Sequence, residues 1–453
     1  MLYLYYSERR VDMKLHIENI AKIEKADIKI DGITVLAGEN STGKSTVSKV
    51  LYCIYETFYN LESKIIREKK SSLSNLLERN LRRKVSASVE DEELEFSSYI
   101  SLSDLLEITD MIMAISKNLP SEEYTKNIKA CLEKSDYIFE DFNLLIERIQ
   151  RINAMTEKQV NGALMNRCMN LEFNSQFLPL FSESDKNKET IIDLTIKDDH
   201  ITMIYNKFDK TFDVKNYVPI TYEVIYLDNP YLIDALDKQS IYRNRRYNRN
   251  VISHENKMRN LIARESVNLK VSIFDEILDN ERFKIFEDKL QELLNGDFVD
   301  FEEQLRFKEN GIDEPVRVSN LSMGSKSLAI ILKLIKSGYI MDKGIIILDE
   351  PEIHLHPKWQ LYFAEILVMM QKELNLHILI NTHSPYFINA LEVYSIEYDT
   401  ASKYSYYLAS LNNNKALFED VTSNTQKIYK LLAEPLRKLN DMMYDYRRNA
   451  KNG

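Results

Sequence analysis

The chain has 453 residues, 44% apolar and 29% charged, with a formal net charge of −10 and three cysteines. That length suits roughly two to three domains and that apolar content a sizeable core, which excludes global disorder. The acidic balance argues against a whole-surface nucleic-acid binder but leaves room for a local basic groove. Cys53, Cys131 and Cys168, odd in number and far apart, suggest a reducing cytosol without a disulfide framework or a Cys-rich metal site.

No apolar run approaches the ~18 residues of a membrane span, and the stretch Met1–Arg10 lacks a signal-peptide layout. A cytoplasmic protein with no membrane partner is therefore expected, and residues 1–12 read as an extension with little part in the fold. Three short strands follow at Lys14–Ile20, Ile23–Ile30 and Ile33–Ala37, the second nearly alternating. The third runs into Gly38-Glu-Asn-Ser-Thr-Gly-Lys-Ser-Thr46, ahead of a helical run at Val47–Phe58. Strand, loop and helix together make a phosphate-binding loop. Gly38, Asn40, Ser41, Thr42, Gly43 and Thr46 would cradle nucleotide phosphates, Lys44 would reach the outer ones, and the Ser45 hydroxyl would ligate Mg2+. ATP or GTP is the expected ligand.

From about 60 to 160 the pattern is helical, broken at Ser71–Ser74 and Ser97-Ser98, and reads as an insertion. Its charge clusters, Arg67–Lys70 and Arg82–Lys84, read as solvated faces. From about 164 the pattern turns to strands, with a hairpin of Thr190–Ile196 and His200–Tyr205 and a buried strand Val224–Asp228 ending at Asn229-Pro230. A second helical stretch covers about 231–296. Within it Arg243, Arg245, Arg246 and Arg249 surround two tyrosines, a composition that could grip DNA or RNA phosphates and stack on bases. The competing reading is a solvated helix face or a contact to an acidic partner protein. Phe298–Lys308 and Val316–Val318 read as a hairpin around Asn310-Gly311. A helix then begins near Ser325, strands cover Gly344–Leu348 and His377–Ile380 with a helix at Lys358–Glu373 between them, and the tail after about 395 reads as polar and mostly helical.

Three further motifs follow the phosphate loop in a fixed order. Leu321-Ser-Met-Gly-Ser-Lys-Ser327 precedes an apolar helix. Gly344-Ile-Ile-Ile-Leu-Asp349-Glu350-Pro351 is a doubly buried strand ending in two carboxylates, where α/β ligand sites lie. Asp349 would hold Mg2+ and Glu350 would orient and polarise the attacking water. The last is Ile380-Asn-Thr-His383-Ser-Pro385.

This set resembles the ABC-type ATPases: Leu321–Ser325 is similar to their Leu-Ser-Gly-Gly-Gln signature, with Met323 in place of Gly and Ser325 in place of Gln, and His383 matches their switch histidine. The resemblance implies that two subunits dock head to tail, Ser322, Gly324 and Ser325 of one completing the site of the other, and that His383 bonds the γ-phosphate. ATP over GTP is likewise implied by the resemblance. Asp228 or Asn229 stands where that family has its Q-loop glutamine. The long gap between Lys44 and Ser322 resembles the SMC, RecF and OLD branch, and Glu352-Ile-His-Leu-His-Pro357 resembles OLD-like and Septu-type defence ATPases. His354 and His356 read either as a dimer contact and helix entry, which Pro357 suits, or as a second metal site.

The implied fold is α/β, an ABC-type P-loop ATPase head (a mixed sheet with an antiparallel lobe) carrying two helical insertions. Head segments would be 13–60, 164–230 and 298–395, insertions 61–163 and 231–297, and a helical tail 396–453. The implied function is an ATP-hydrolysing subunit of an anti-phage complex of Septu or PARIS type. It would act as an ATP-gated homodimer, open to higher oligomers, that controls a separate effector chain, because the stretch after His383 is too short for a Toprim nuclease domain. A RecF- or SMC-like DNA-repair ATPase and an ATP-timed protein scaffold are the alternatives. A transporter subunit is disfavoured by the insertions.

Overall fold

The computed structural model describes residues 13–83, 101–115, 121–133, 137–139, 141–180, 188–238, 251–263, 273–302 and 304–452. The amino-terminal extension, Ser97-Ser98 and the basic stretch with Arg243, Arg245, Arg246 and Arg249 lie outside the described residues. The chain divides into two compact units, one running to Tyr59 and resuming at Gly162, the other spanning Asn60–Asn161.

In chain order the strands are β1 (Met13–Ile20), β2 (Ile23–Lys29), β3 (Ile33–Gly38), β4 (Leu81–Arg83), β5 (Tyr137–Phe139), β6 (Ile191–Ile196), β7 (Asp199–Asn206), β8 (Thr211–Asn216), β9 (Val224–Leu227), β10 (Gly296–Phe301), β11 (Gln304–Glu309), β12 (Ile345–Asp349), β13 (His377–Thr382), β14 (Tyr404–Asn412) and β15 (Lys415–Asp420). Eleven of them form one sheet in the order β8-β7-β6-β1-β2-β15-β14-β3-β13-β12-β9. Its core, β14-β3-β13-β12-β9, is parallel. The other end, β8-β7-β6-β1-β2, is antiparallel. This is the mixed sheet with an antiparallel lobe that the resemblance implies.

Residue pattern explains the division. All of β3 and β13, and Ile345–Leu348 of β12, are buried, as strands of a parallel sheet covered on both faces must be. β1 instead buries Leu15 and Ile17 and leaves Lys14 exposed, the alternation of a sheet with one wet face. Because the core strands are parallel, the carboxyl ends of β3, β9, β12 and β13 share one edge. The phosphate loop, Asp228, Asp349-Glu350 and His383 all start there. In the second unit, helices Leu61–Asn80, Leu102–Ala114, Ser121–Glu133 and Phe142–Ala154 gather Leu73, Leu77, Ile108, Ile128 and Ile149 into their own core.

Several expectations need correction. The tail is not mostly helical: Tyr404–Asn412 and Lys415–Asp420 are strands, and only Gln426–Asn452 is a helix. The run Tyr-Ser-Tyr-Tyr-Leu carries hydroxyls, yet its aromatic rings suit a pleated strand, and Tyr404, Tyr406 and Tyr407 are all buried in it. The hairpin turn lies between Phe301 and Gln304, where Glu302 takes a positive φ of 50°, and Val316 adds only an isolated bridge to Phe307. Ser71–Ser74 does not break its helix, because Leu73 and Leu77 continue one buried face through it. Strands do not begin at 164: the helix Glu157–Glu172 buries Leu164, Met165, Cys168 and Met169 at helical spacing. β8, β4 and β5 were not foreseen. The described part of 231–297 contributes to the head's core, where Leu232, Met258, Leu261, Phe286 and Leu290 pack with Leu328, Ile331 and Phe363. Each such side chain contributes about 1.5–3 kcal/mol by leaving water.

Candidate active site

The phosphate loop leaves β3 at Gly38, where φ is 154° and a Cβ would lie 2.1 Å from the carbonyl oxygen of Ala409 in β14. Only glycine fits between these two strands. Lys44 opens the helix Lys44–Phe58, and its Nζ donates to the carbonyl oxygens of Gly38 (3.0 Å) and Glu39 (2.7 Å). Burial pushes its ammonium from 10.5 down to about 8, against the opposing pull of Glu350, Asp349 and Glu352. A cavity of about 300 Å³ runs along Asn40 to Thr46 and is also lined by Ala21, Lys22, Leu180, Glu350 and His383. A second, of about 440 Å³, is lined among others by Ser45, Asp228, Asn229, Met323, Ser327, Asp349, Glu350 and His354. Ser45 and Glu350 border both.

Asp349 ends β12 with each carboxylate oxygen engaged. Oδ2 accepts from the Tyr226 hydroxyl at 3.2 Å, and Oδ1 accepts from Asn381 Nδ2 at 2.9 Å, which also donates to Ser48 Oγ at 2.9 Å. Burial, with the charge of Asp349, holds the Tyr226 hydroxyl well above its ordinary 10.0, so it stays a donor. Glu350 next to it has a φ of 50°, and its N–H donates to Asn381 O at 2.8 Å. A non-glycine residue in that region costs on the order of 1–3 kcal/mol and persists where surrounding bonds enforce it. The kink places Glu350 Oε1 2.8 Å from His383 Nε2, at ion-pair distance but without hydrogen-bond alignment.

The Ser45 hydroxyl and the Asp349 carboxylate line one cavity, and such hard oxygen donors fit Mg2+ together with phosphate oxygens. Bound there, Mg2+ would neutralise charge on the β- and γ-phosphates. The chain's own share would be to hold phosphates on loop N–H groups and Lys44 and to orient water with Glu350, beside which His383 lies.

Ser322, Gly324 and Ser325 do not line the phosphate-loop cavity. Ser322 caps the helix Met323–Lys336, its Oγ accepting from Ser325 N at 3.2 Å. A Cβ on Gly324 would come within 2.9 Å of His354 O, so this glycine admits the loop after Glu350. His356 Nδ1 accepts from Lys358 N at 3.2 Å and so caps the helix that Pro357 opens. Asp228 and Asn229 border the second cavity with Ser45 and Asp349, where the Q-loop equivalent was expected.

Reasoning from sequence missed Tyr226, Asn381 and Glu352. A polar residue inside an otherwise apolar buried strand, as Asn381 in β13 and Tyr226 in β9, was the available signal. It also missed His254, which nothing local marks. Its Nδ1 lies 2.6 Å from Glu172 Oε2 and its Nε2 2.9 Å from Asp228 Oδ2, and the ring stacks on Tyr226 at 4.3 Å. Nearby, Lys257 and Glu56 form a second buried pair at 2.8 Å. Burial alone would push the His254 imidazole down, but hydrogen bonds to Asp228 and Glu172 and their charges lift it from 6.5 to about 9. Because the folded value exceeds the unfolded one, this stabilisation is fully present below pH 6.5 and lost as pH rises through about 9. It amounts to about 3 kcal/mol. Thermal melts across that window should show the wild type losing stability on the alkaline side, with His254→Gln starting lower and losing less. Parallel curves for the two would rule out the clamp.

Among the described helices none is long and apolar enough to cross a membrane. No curated protein matches the chain. Similar solved structures include the SMC head domain from Thermotoga maritima, 11% identical with a TM-score of 0.39, covering 91% of this chain and 99% of that one. An SMC head bound to the C-winged helix domain of ScpA is 11% identical with a TM-score of 0.41, covering 92% and 99%. An SMC head with an extended coiled coil bound to the C-terminal domain of ScpA from Pyrococcus furiosus is 11% identical with a TM-score of 0.34, covering 93% and 99%. The family model of the AAA ATPase domain matches residues 13–388, which takes in the phosphate loop, the paired carboxylates and His383, and the chain thus belongs to that family and is an ATPase.

Proposed function

We propose that this ATPase works as an ATP-gated, head-to-tail homodimer whose closure controls a separate effector chain in anti-phage defence. The observation that supports the dimer is a division of the site. Lys44, Ser45, Glu350 and His383 share one cavity, while Ser322 and Ser325 lie outside it on a helix N-terminus suited to an anion. A second copy could present that helix end to the bound γ-phosphate. ATP then belongs to both subunits, and its hydrolysis opens the pair. The defence role rests on the run Asp349–Pro357, whose Glu-x-His-Leu-His-Pro pattern resembles OLD-like and Septu-type ATPases.

Light scattering tests the first half: ATP with Mg2+ should double the mass of the Glu350→Gln chain, and a monomer at saturating ATP overturns the dimer. For the second half, cells carrying the gene with its genomic neighbours are challenged with phage. Protection should vanish in Lys44→Ala, and protection equal to wild type, or none in either, overturns the defence role.

A further inference from the structure

Glu352 sits two residues past Glu350, only 6% exposed, in a loop that no part of the ATPase chemistry above requires. Its Oε1 accepts from three donors in a row: the Thr382 hydroxyl, His383 N at 3.0 Å and Ser384 N at 3.2 Å. One carboxylate oxygen thus gathers the backbone that follows β13. The grip continues outward, since Ser384 Oγ donates to Gln360 Oε1 at 2.8 Å and accepts from Phe387 N at 3.2 Å, capping the helix Pro385–Glu397. From the other side Glu350 N donates to Asn381 O, and Asn381 Nδ2 donates to Asp349. The ends of β12 and β13 are therefore stitched together at consecutive positions from 381 to 384.

We propose that Glu352 is a positioning residue for His383: it fixes the loop that carries the imidazole, so that Nε2 stays beside Glu350 and the two act on the γ-phosphate as one unit. The proposal rests on the reading of His383 as the γ-phosphate contact. An acidic side chain suits this place because charge-assisted acceptors bind N–H and O–H donors about twice as strongly as neutral ones. Burial raises the Glu352 carboxyl, and the hydrogen bonds from Thr382, its own N–H, His383 N and Ser384 N offset only part of that rise. Glutamate also has the reach: the φ of 50° at Glu350 turns the chain, and Glu352 comes back under the neighbouring loop. Asp349, Glu350 and Glu352 thus divide three tasks within one short segment: metal, water and histidine.

The test is a double-mutant cycle in steady-state ATP hydrolysis, with kcat expressed per ATP-binding-competent chain. Glu352→Ala should lower kcat about a hundredfold, the usual scale for a reacting group displaced by about an ångström, and shift KM less than about threefold. Residues that act as a unit lose their effect only once, so Glu352→Ala combined with His383→Ala should be no slower than His383→Ala alone. Glu352→Gln keeps an acceptor oxygen but not its charge and should recover part of kcat. If Glu352→Ala does not fold, Glu352→Asp, whose shorter arm withdraws that oxygen, takes its place in the cycle. Losses that multiply in the double variant overturn the proposal, and so does a Gln variant as slow as Ala. A His383→Ala chain with unchanged kcat overturns the reading of His383 and the proposal with it, which separates that failure from a failure of Glu352 alone.

Discussion

Lys44→Ala should weaken ATP binding by a hundredfold or more and remove hydrolysis at ordinary ATP concentrations. Lys44 would bring two charge-assisted donors to the outer phosphates of a bound nucleotide. Each such bond is worth about 1.5–3 kcal/mol, so losing two costs roughly 3 kcal/mol or more, about two decades in affinity. The fold should survive, because the ammonium touches only carbonyl oxygens of its own loop and Thr42. The depressed ammonium gives a second signature. Free Lys44 loses its proton near pH 8, and phosphate binding would draw that proton back. ATP affinity of the wild type should therefore be flat below pH 8 and fall as pH rises above it, by up to tenfold per unit. Calorimetric titration should record proton uptake on the alkaline side only. Affinity in Lys44→Ala within threefold of wild type, or a pH profile identical in the two, refutes the phosphate-loop assignment.

The strand, loop and helix at Ile33–Phe58 and the strand at Ile345–Asp349 were legible because each is a local pattern. The same locality accounts for the misses. β14 lies beside β3 and confines Gly38, but no short window around Tyr404 shows that an aromatic, polar stretch is destined for the middle of a sheet. His254 binds Glu172 and Asp228, 82 and 26 residues away, so its charge is a property of tertiary packing alone. Glu352 was visible as part of a pattern, but its three donors belong to the end of another strand. The described helices of 231–297 read as an insertion because they interrupt the motif order, and their apolar residues complete the core against the helix Met323–Lys336. Interruption in sequence and separation in space are different properties, and only the first can be read from spacing.

Glu350→Gln should keep ATP binding and lower hydrolysis about a thousandfold, within the range that a general acid or base contributes. The substitution is nearly isosteric. Its backbone can hold the same left-handed turn, since the bond from residue 350 N to Asn381 O does not involve the side chain. Lys44, Ser45 and Asp349 are untouched, so phosphate and Mg2+ binding should persist. What disappears is the carboxylate that can accept a proton from water, and with it the negative charge 2.8 Å from His383 Nε2. The loss should therefore fall on kcat, with KM within a few fold. In a single-turnover experiment the bound ATP should remain intact over times in which the wild type converts it all. A residue that merely braced the loop would behave differently: its loss would raise KM and lower thermal stability along with kcat. If Glu350→Gln hydrolyses ATP faster than about a tenth of wild type, another group activates the water. Asp228 is then the first to test, since it faces the same cavity and is already held in place by His254.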